Sequence, residues 1–324
     1  MLVHRWLNGT LGDPAEMTPL RVVATIVAVC NLSCRHCFWH HDLEEVPVTD
    51  WKKQAQLIKS WQAGVDYAGR MVTPKGLVFI NACLKAGVKK VRVTDHGYTI
   101  FNLPAETLAR LDHVSISLDG VEEDHDRQRN KVGAFQKAWS AILKLKNMGY
   151  DPIASSCLSP MNIGHWAEFE QILVDYDVPL SVAMISTAEA VVERGVVGFD
   201  DKASCWRAFE TLLSGVPKIV NLYDLDHVRY LAPILKDLPW VPDQVEGDGL
   251  LAKLPSGTEI IYRPQSLLWG AELNLRWDGE FYLPTLNGKT GINARPGFLP
   301  AGYAEMVKNL HEQEMGVWSP ILGL

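Results

Sequence analysis

Short apolar runs alternate with longer amphipathic stretches across residues 22–185, and this alternation limits the folds open to the chain. The first run, residues 22–29, is β-branched and almost wholly apolar, as in a strand that is buried on both faces. An amphipathic stretch follows, with Asp50 as its N-cap and Gly64 as its stop. The same order recurs to residue 185, and six such units predict parallel strands joined by right-handed crossovers.

The predicted fold class is α/β, a partial (β/α)6 TIM-like barrel with a small C-terminal α+β extension. The predicted boundaries are 1–20 for a lead-in, 21–215 for the barrel core and 216–324 for the extension. Frequent prolines interrupt the alternation after residue 215, so the extension is predicted in short pieces. Within it, residues 272–284 alternate on both sides of Asp278 and Gly279, which predicts a β-hairpin.

Three cysteines directly follow the first predicted strand, as Cys30, Cys34 and Cys37. Parallel α/β folds bind their ligands at the carboxyl ends of the strands, so this loop lies where chemistry is expected. Thiolates are soft ligands that suit iron–sulfur clusters or zinc. Three ligands on one loop bind three irons of a cubane and leave the fourth iron open.

The rest of the sequence indicates in which cellular compartment this site would lie and which partners it would have. The other cysteines are widely separated, which does not fit a secreted disulfide framework, and no apolar run has the length of a signal peptide or a membrane span. We therefore predict a cytoplasmic protein with no membrane partner. The net charge of −7, without any Lys/Arg-rich run, gives no reason to expect a nucleic-acid partner.

The segment from Cys30 to Phe38, CNLSCRHCF, closely resembles the signature of the radical S-adenosylmethionine (SAM) superfamily. The resemblance implies one [4Fe–4S] cluster on the three cysteines, with SAM bound at the open iron. It also implies reductive cleavage of SAM to a 5′-deoxyadenosyl radical, which abstracts a substrate hydrogen, and a reductant such as flavodoxin or ferredoxin. His36 and Phe38 lie inside the motif, and the resemblance assigns them to cofactor binding.

Two further segments resemble superfamily motifs less closely. The family's Gly-Gly-Glu-Pro after the second strand is matched here by Gly69 and Arg70, so Gly69 is predicted to contact SAM and the expected glutamate is absent. Arg70 meets a carboxylate or is solvated. The family's Thr-Asn-Gly after the third strand is matched by Thr94-Asp95-His96-Gly97, which implies that Asp95 faces the cofactor.

The fourth and fifth strands supply the remaining predicted site residues. Ser117 and Asp119 share one face of a strand, and their segment resembles the family's Ser-x-Asp-Gly, followed by His125-Asp126 and then Arg127 or Arg129 as the family's His-Asp and Arg. The resemblance aims both side chains at the ribose and substrate, with Ser117 assigned to cofactor binding and Asp119 to catalysis, although Asp119-Gly120 also fits a simple turn. Either Ser155 or Ser156 is predicted to bind SAM hydroxyls, and Ser156 is the one assigned to cofactor binding. Cys157 is predicted to be catalytic as a hydrogen-atom donor, the alternative being a buried apolar role.

The C-terminal hairpin resembles the start of the SPASM or twitch extension, which binds auxiliary clusters in that branch. The auxiliary-cluster cysteines are absent here: Trp269 stands near one expected position, and no cysteine follows Pro284. The resemblance therefore implies a remnant of the extension without an auxiliary cluster. An unrelated hairpin is the alternative.

Three functions remain open on the sequence. The first is radical modification of a ribosomally made peptide, with a separate leader-recognition protein because few residues precede the first strand. The second is radical epimerisation, dehydrogenation or rearrangement of a small metabolite such as a sugar or nucleoside. The third is a structural zinc protein in which His36, His40 or His41 is the fourth ligand, although a second cysteine pair is lacking.

Overall fold

The computed structural model describes residues 2–9, 19–26, 30–37, 50–185, 198–199, 201–243, 249–264, 266, 272–276, 279–282 and 303–324. The strands are β1 (Arg21–Thr25), β2 (Gly64–Arg70), β3 (Val91–Asp95), β4 (His113–Ser117), β5 (Ile153–Leu158), β6 (Leu180–Met184), β7 (Ile219–Leu222), β8 (Trp240–Pro242), β9 (Leu250–Lys253), β10 (Glu259–Tyr262), β11 (Glu272–Arg276) and β12 (Phe281–Tyr282). The helices are α1 (Leu2–Leu7), α2 (Lys52–Ser60), α3 (Pro74–Ala86), α4 (Ala105–Leu108), α5 (Glu122–Arg129), α6 (Ala134–Asn147), α7 (Trp166–Asp175), α8 (Lys202–Leu213), α9 (Leu225–Leu235) and α10 (Tyr303–Leu322).

The described strands form one sheet in the order β12-β11-β1-β2-β3-β4-β5-β6-β7-β10-β9-β8. Strands β1 to β7 are parallel and neighbour one another in chain order, as right-handed β–α–β crossovers produce. The prediction of an α/β fold of the partial TIM-barrel type is confirmed, and the sheet is not closed. Among the described helices, none combines the length and apolar character needed to cross a bilayer.

The strand–helix alternation continues past residue 215, where the sequence had predicted only short pieces. Strand β7 pairs parallel with β6, and helix α9 follows it with Pro233 inside its last turns. Prolines obscured this unit because an interior proline removes one backbone hydrogen bond and usually ends or kinks a helix.

The C-terminal strands flank both ends of the parallel sheet. Strand β11 pairs parallel with β1, and β10 pairs parallel with β7. The predicted hairpin is confirmed by the antiparallel pairing of β11 with β12, with Gly279 in its turn at φ +79°. The extension therefore continues the sheet of the core instead of forming a separate layer.

The start of the sheet differs in detail from the prediction. Helix α2 has Trp51 at its N-cap, although the Asp50 carboxylate still accepts the Lys52 N–H at 2.9 Å. Gly64 is the first residue of β2 and does not end the helix, which stops at Ser60. The residues between them turn through Gln62, whose φ of +58° is left-handed.

Burial alternates along the central strands. In β5, Ser155 and Cys157 are half-buried while Ser156 and Leu158 are buried, as a strand with one face against helices requires. The register places Ser117 opposite Ser155. We call the half-buried face that carries Ser117, Ser155 and Cys157 the open face.

The amino ends of β11, β1, β2 and β3 are joined by charged side chains. Arg21 Nη2 lies 2.8 Å from Glu272 Oε2, and Arg21 Nε lies 3.6 Å from Asp66 Oδ2. Arg92 pairs with the same aspartate. Because Glu272 belongs to the C-terminal hairpin, this network fixes the extension to the core at the edge opposite the cysteine loop.

Candidate active site at the cysteine loop

The cysteine loop, residues 30–37, follows β1 at the carboxyl edge of the parallel sheet. Cys34 is buried, while Cys30 and Cys37 are half-buried. The Cys37 N–H donates to the Cys34 carbonyl at 3.2 Å, a turn that keeps these two residues together. Three thiols are thus presented by one short segment at the ligand-binding end of the fold.

The last turn of α5 packs against this loop through consecutive residues. The Gln128 carbonyl accepts the Arg35 N–H at 3.0 Å. The next residue, Arg129, places Nη1 3.8 Å from Cys34 Sγ. The contact supplies a fixed positive charge beside a thiol that is predicted to bind a metal as thiolate.

Two further contacts hold the cysteine loop, in addition to those from Gln128 and Arg129. Asn130, which ends α5 in the left-handed conformation at φ +53°, donates from Nδ2 to Ser33 Oγ at 3.1 Å. On the β2 side, the Asn31 N–H lies 3.3 Å from Met71 Sδ. Contacts on two sides therefore restrain the backbone that carries the cysteines.

Asp119 is fully buried at the end of β4 and pairs with Arg129, whose Nε lies 2.6 Å from Asp119 Oδ2. Burial acts to raise the pKa of Asp119, but the Arg129 guanidinium, His36, His125 and the Cys157 N–H together outweigh it, and the pKa lies below its ordinary value. The same guanidinium contacts Cys34. Asp119 therefore acts on the cysteine loop through Arg129, which makes it a positioning residue in this geometry.

Cys157 lies at the carboxyl end of β5, and its backbone is held by buried polar side chains. Its N–H donates to Asp119 Oδ1 at 3.0 Å, and its carbonyl accepts from Gln128 Nε2 and Asn162 Nδ2, both at 2.9 Å. Burial raises the pKa of the Cys157 thiol, so the group stays protonated at neutral pH. His125 completes the group, since its Nδ1 accepts the Asp119 N–H at 2.9 Å.

Asp95 and His96 occupy the loop after β3. Asp95 Oδ1 accepts the backbone N–H groups of Gly97 and Thr99 at 2.7 and 3.2 Å. Burial acts to raise the pKa of Asp95, whereas hydrogen bonds from His96 and Thr99 lower it below its ordinary value. Burial acts to lower the pKa of His96, whereas Asp95 and Cys30 raise it above its ordinary value. Asp95 Oδ2 also accepts the Val72 N–H at 3.3 Å, so its carboxylate is engaged by its own loop and by the segment after β2.

The other predicted site residues fall in different surroundings. Ser117 lies on the open face at the end of β4. Ser156 lies on the opposite face of β5, buried, with no hydrogen-bond partner for its hydroxyl among the described residues. Gly69 lies where the pairing of β2 with β3 shifts register. Phe38 is outside the described residues. Their roles in cofactor binding stay predictions.

The sequence assigns no site role to Arg129 or to Gln128 beside it. The resemblance left Arg127 and Arg129 as equivalent matches. In the structure Arg127 pairs with Asp124 at 2.6 Å, whereas Arg129 pairs with Asp119. Residues two positions apart lie on different faces of a helix, and the sequence does not show which of the two faces is buried. Gln128 carried no signal beyond its position beside the motif.

The donor set fits an iron–sulfur cluster by its chemistry. Burial is the largest influence on Cys34 and raises the pKa of its thiol, while Arg129 lowers it. Metal binding removes such a proton outright, and the neighbouring cation stabilises the resulting thiolate. Across the described residues, no His, Cys, Asp or Glu side chains form a group of three that could hold one metal ion. A [4Fe–4S] cubane does not need three side chains around one ion, because each thiolate binds a separate iron.

Comparison with known proteins gives curated relatives of low identity, and no family model matches the chain. The sporulation killing factor maturation protein SkfB of Bacillus subtilis is 25% identical over 171 residues, covering 48% of this chain and 42% of SkfB. A GTP 3′,8-cyclase of Geobacter sulfurreducens is 24% identical over 178 residues, covering 51% of this chain and 54% of the cyclase. The chain thus spans about half the length of the curated relatives it matches. Both relatives are radical SAM enzymes.

The resemblance to the radical SAM superfamily is confirmed. Solved structures agree at the level of the fold. SuiB of Streptococcus suis has a TM-score of 0.62 at 13% identity, over 90% of this chain and 66% of SuiB. The protein anSMEcpe with bound AdoMet has a TM-score of 0.56 at 14% identity, over 91% of this chain and 83% of that one. Both are radical SAM proteins of the SPASM/twitch type.

The hairpin β11–β12 lies beside β1, which is the strand that leads into the cysteine loop. No cysteine follows Cys205 in the sequence, so the hairpin has none of the ligands that auxiliary clusters need. Trp269, near one expected ligand position, lies outside the described residues.

Proposed function

We propose that this protein is a radical SAM enzyme that modifies a ribosomally made peptide. One observation carries the proposal: three thiols on a single loop lie at the carboxyl edge of a parallel sheet, clamped by the buried end of α5. Cys30, Cys34 and Cys37 would hold a [4Fe–4S] cluster. When bound, the cluster supplies the electron that cleaves SAM and generates a carbon-centred radical on its adenosyl group.

The chain's own residues would orient and shield this chemistry. Arg129 fixes Cys34 and offsets thiolate charge, while Asp119 holds the guanidinium in place. The open face beyond Cys157 offers half-buried hydroxyls for hydrogen bonding, including those of Ser117 and Ser155. A protonated Cys157 thiol at this edge has an S–H hydrogen available for a substrate radical, which is the catalytic role proposed for it.

A peptide substrate is supported by the relatives. SkfB is a maturation protein for a killing factor, and SuiB has been crystallised with its precursor peptide SuiA. We extend this to a peptide partner here, with flavodoxin or ferredoxin as the electron donor and a separate protein for leader recognition. The second candidate is a small metabolite, favoured by the likeness to GTP 3′,8-cyclases.

The enzyme assignment is tested by anaerobic reconstitution of the full chain with iron and sulfide. We expect about four irons per chain and release of 5′-deoxyadenosine from SAM in the presence of dithionite. Cys34→Ala should abolish that release, while Cys205→Ala, which also removes a buried thiol, should leave it intact. A wild-type protein that takes up no iron and sulfide, or only zinc, would overturn the proposal.

Peptide and metabolite substrates are distinguished by mass spectrometry with the wild-type enzyme. One reaction contains SAM, reductant and any short peptide found to be encoded beside the gene, and a parallel reaction contains GTP. A mass change in the peptide, dependent on Cys34, supports the first candidate. Conversion of GTP with an unchanged peptide supports the second.

A further inference from the structure

Gln128 contacts two parts of the site at once. Its backbone carbonyl accepts the Arg35 N–H from the cysteine loop at 3.0 Å. Its side chain is fully buried and turns toward β5, where Nε2 donates to the Cys157 carbonyl at 2.9 Å. Gln128 Oε1 accepts from Ser159 Oγ at 2.7 Å. One residue therefore spans from the predicted cluster ligands to the thiol predicted to be catalytic.

The amide is suited to this place because both of its ends are engaged. A buried amide that loses either partner leaves an unsatisfied polar group, so the two hydrogen bonds hold one orientation of the side chain. Gln128 also adds no charge beside the Asp119–Arg129 pair. The side chain thus acts as a spacer of fixed length and direction between α5 and the end of β5.

Packing alone does not require an amide at this position. A methionine side chain has the same length and a similar volume, and it would fill the space without hydrogen bonding. What methionine would not provide is the link to the Cys157 carbonyl. The carbonyl would then be held by Asn162 alone among the contacts described here, and the end of β5 would lose its direct tie to the residue that holds the cysteine loop.

We propose that Gln128 is a positioning residue that keeps the Cys157 end of β5 in register with the cysteine loop. Through this link it sets how the Cys157 thiol faces SAM bound at that loop. The inference rests on the proposed radical SAM function, since it needs SAM beside the cysteines. It adds to that function a residue that lies outside the cysteine motif and touches no predicted cluster ligand through its side chain.

The test measures alkylation of Cys157 in the anaerobically reconstituted full chain. N-ethylmaleimide is added with and without SAM, and modification at Cys157 is quantified by peptide mass spectrometry after quenching. The cysteine triplet is covered by the cluster, and Cys83 and Cys205 are both fully buried, so Cys157 is the informative thiol. We expect SAM to slow alkylation of wild-type Cys157 by about tenfold or more. In Gln128→Met the protection should fall to about twofold, since loss of one hydrogen bond is worth about fivefold.

Controls separate positioning from a general loss of stability. Gln136→Met makes the same chemical change at an exposed glutamine of α6 and should keep full protection by SAM. Gln128→Leu is also apolar and close in volume, and it removes both the donor to Cys157 and the acceptor for Ser159, so it should behave like Gln128→Met. This second variant keeps the test informative if the methionine variant does not fold. Iron content and the electron paramagnetic resonance spectrum without SAM should match wild type in both, because the backbone bond to Arg35 remains.

The outcomes distinguish the two proposals. Full protection by SAM in Gln128→Met or Gln128→Leu overturns the positioning role, as does a wild-type thiol that SAM does not protect although SAM is cleaved. Wild-type protein that takes up no cluster overturns the proposed function and the inference with it. Reduced protection in both Gln128 variants, with normal cluster content and an unaffected Gln136→Met, supports the inference.

Discussion

Two buried ion pairs in this molecule have similar chemistry and different surroundings. Lys218 and Glu170 pair between the start of β7 and helix α7, and the lysine also donates to the Leu212 and Ser214 carbonyls at 3.1 and 2.7 Å. Every contact of this pair lies within the scaffold. Asp119 and Arg129 pair equally deep in the protein, but the guanidinium continues to the sulfur of Cys34.

The difference separates a structural pair from a positioning pair. A buried pair with all partners inside the scaffold contributes to fold specificity, and losing one partner leaves a stranded charge. Disrupting a pair that contacts a predicted metal ligand has the same cost in stability and also disturbs that ligand. Burial and distance alone do not distinguish the two kinds of pair, whereas the group that the cation contacts beyond its carboxylate does.

The largest expected effect comes from removing one cation from each pair. Arg129→Ala and Lys218→Ala each strand a buried carboxylate, so each should lower the free energy of unfolding by about 3–5 kcal/mol. Only Arg129→Ala should also change the site, because Cys34 loses its neighbouring cation. The measurements are denaturant unfolding and iron content after anaerobic reconstitution.

The comparison fails if both variants lose cluster in proportion to their loss of stability. To separate the two effects, iron uptake is measured without denaturant, at a temperature where circular dichroism shows that both variants are folded. Arg129→Lys then sharpens the result, because it keeps the charge but loses the forked geometry that contacts Asp119 and Cys34 together.

A smaller effect is expected from crowding the scaffold pair. Gly215 has φ +78°, and a Cβ there would overlap the Glu170 carboxylate. Gly215→Ala combines left-handed strain with this clash, so it should destabilise by about 3 kcal/mol. Gly149→Ala is the matched control, with φ +84° and open space around the added carbon, and should cost about 1 kcal/mol from strain alone. Thermal unfolding of both compares them, and equal losses would contradict the role given to Glu170.

The sequence was sufficient for the scaffold and for the location of the site. Strand–helix alternation predicts β1 to β6 within a few residues, since short apolar runs between amphipathic stretches leave a strong signal. The hairpin at Gly279 was predicted from alternation around a turn. The cysteine triplet located the site because parallel strands present their carboxyl ends at one edge.

The sequence was insufficient for residues whose roles depend on which face is buried. Arg127 and Arg129 fit the same motif, and only the packing of α5 selects Arg129. Ser155 and Ser156 are adjacent serines, and the pleat of β5 puts Ser156 on the helix side. A shift of one residue exchanges the faces of a strand, so a boundary error of that size reverses the choice.

The next effect concerns pH and the site pair. Burial lowers the pKa of His125 to about 3, below its unfolded value near 6.5, and Arg129 and His36 act in the same direction while Asp119 and Asp126 oppose them. A depressed histidine pKa gives stability that is present above the unfolded pKa and is lost as pH falls below it. Between pH 7 and pH 5 this contribution should drop by about 2 kcal/mol. His125→Gln should flatten that part of the pH profile of unfolding, and an unchanged slope would contradict a neutral buried ring.

The smallest expected effect lies at the outer end of the α5 contacts, where Asn130 donates to Ser33 in an exposed hydrogen bond. Asn130→Gly keeps the left-handed backbone and removes only the amide, so it should change stability by about 0.5 kcal/mol or less. Ser33→Ala removes the other partner, and a double-mutant cycle of the two isolates the bond. Because Arg129 and Gln128 restrain the same loop from buried positions, iron content should stay at the wild-type level in both single variants. A loss of cluster in Asn130→Gly would show that the restraint on the loop begins at the surface, and the distinction between buried positioning contacts and peripheral ones would then fail at this helix.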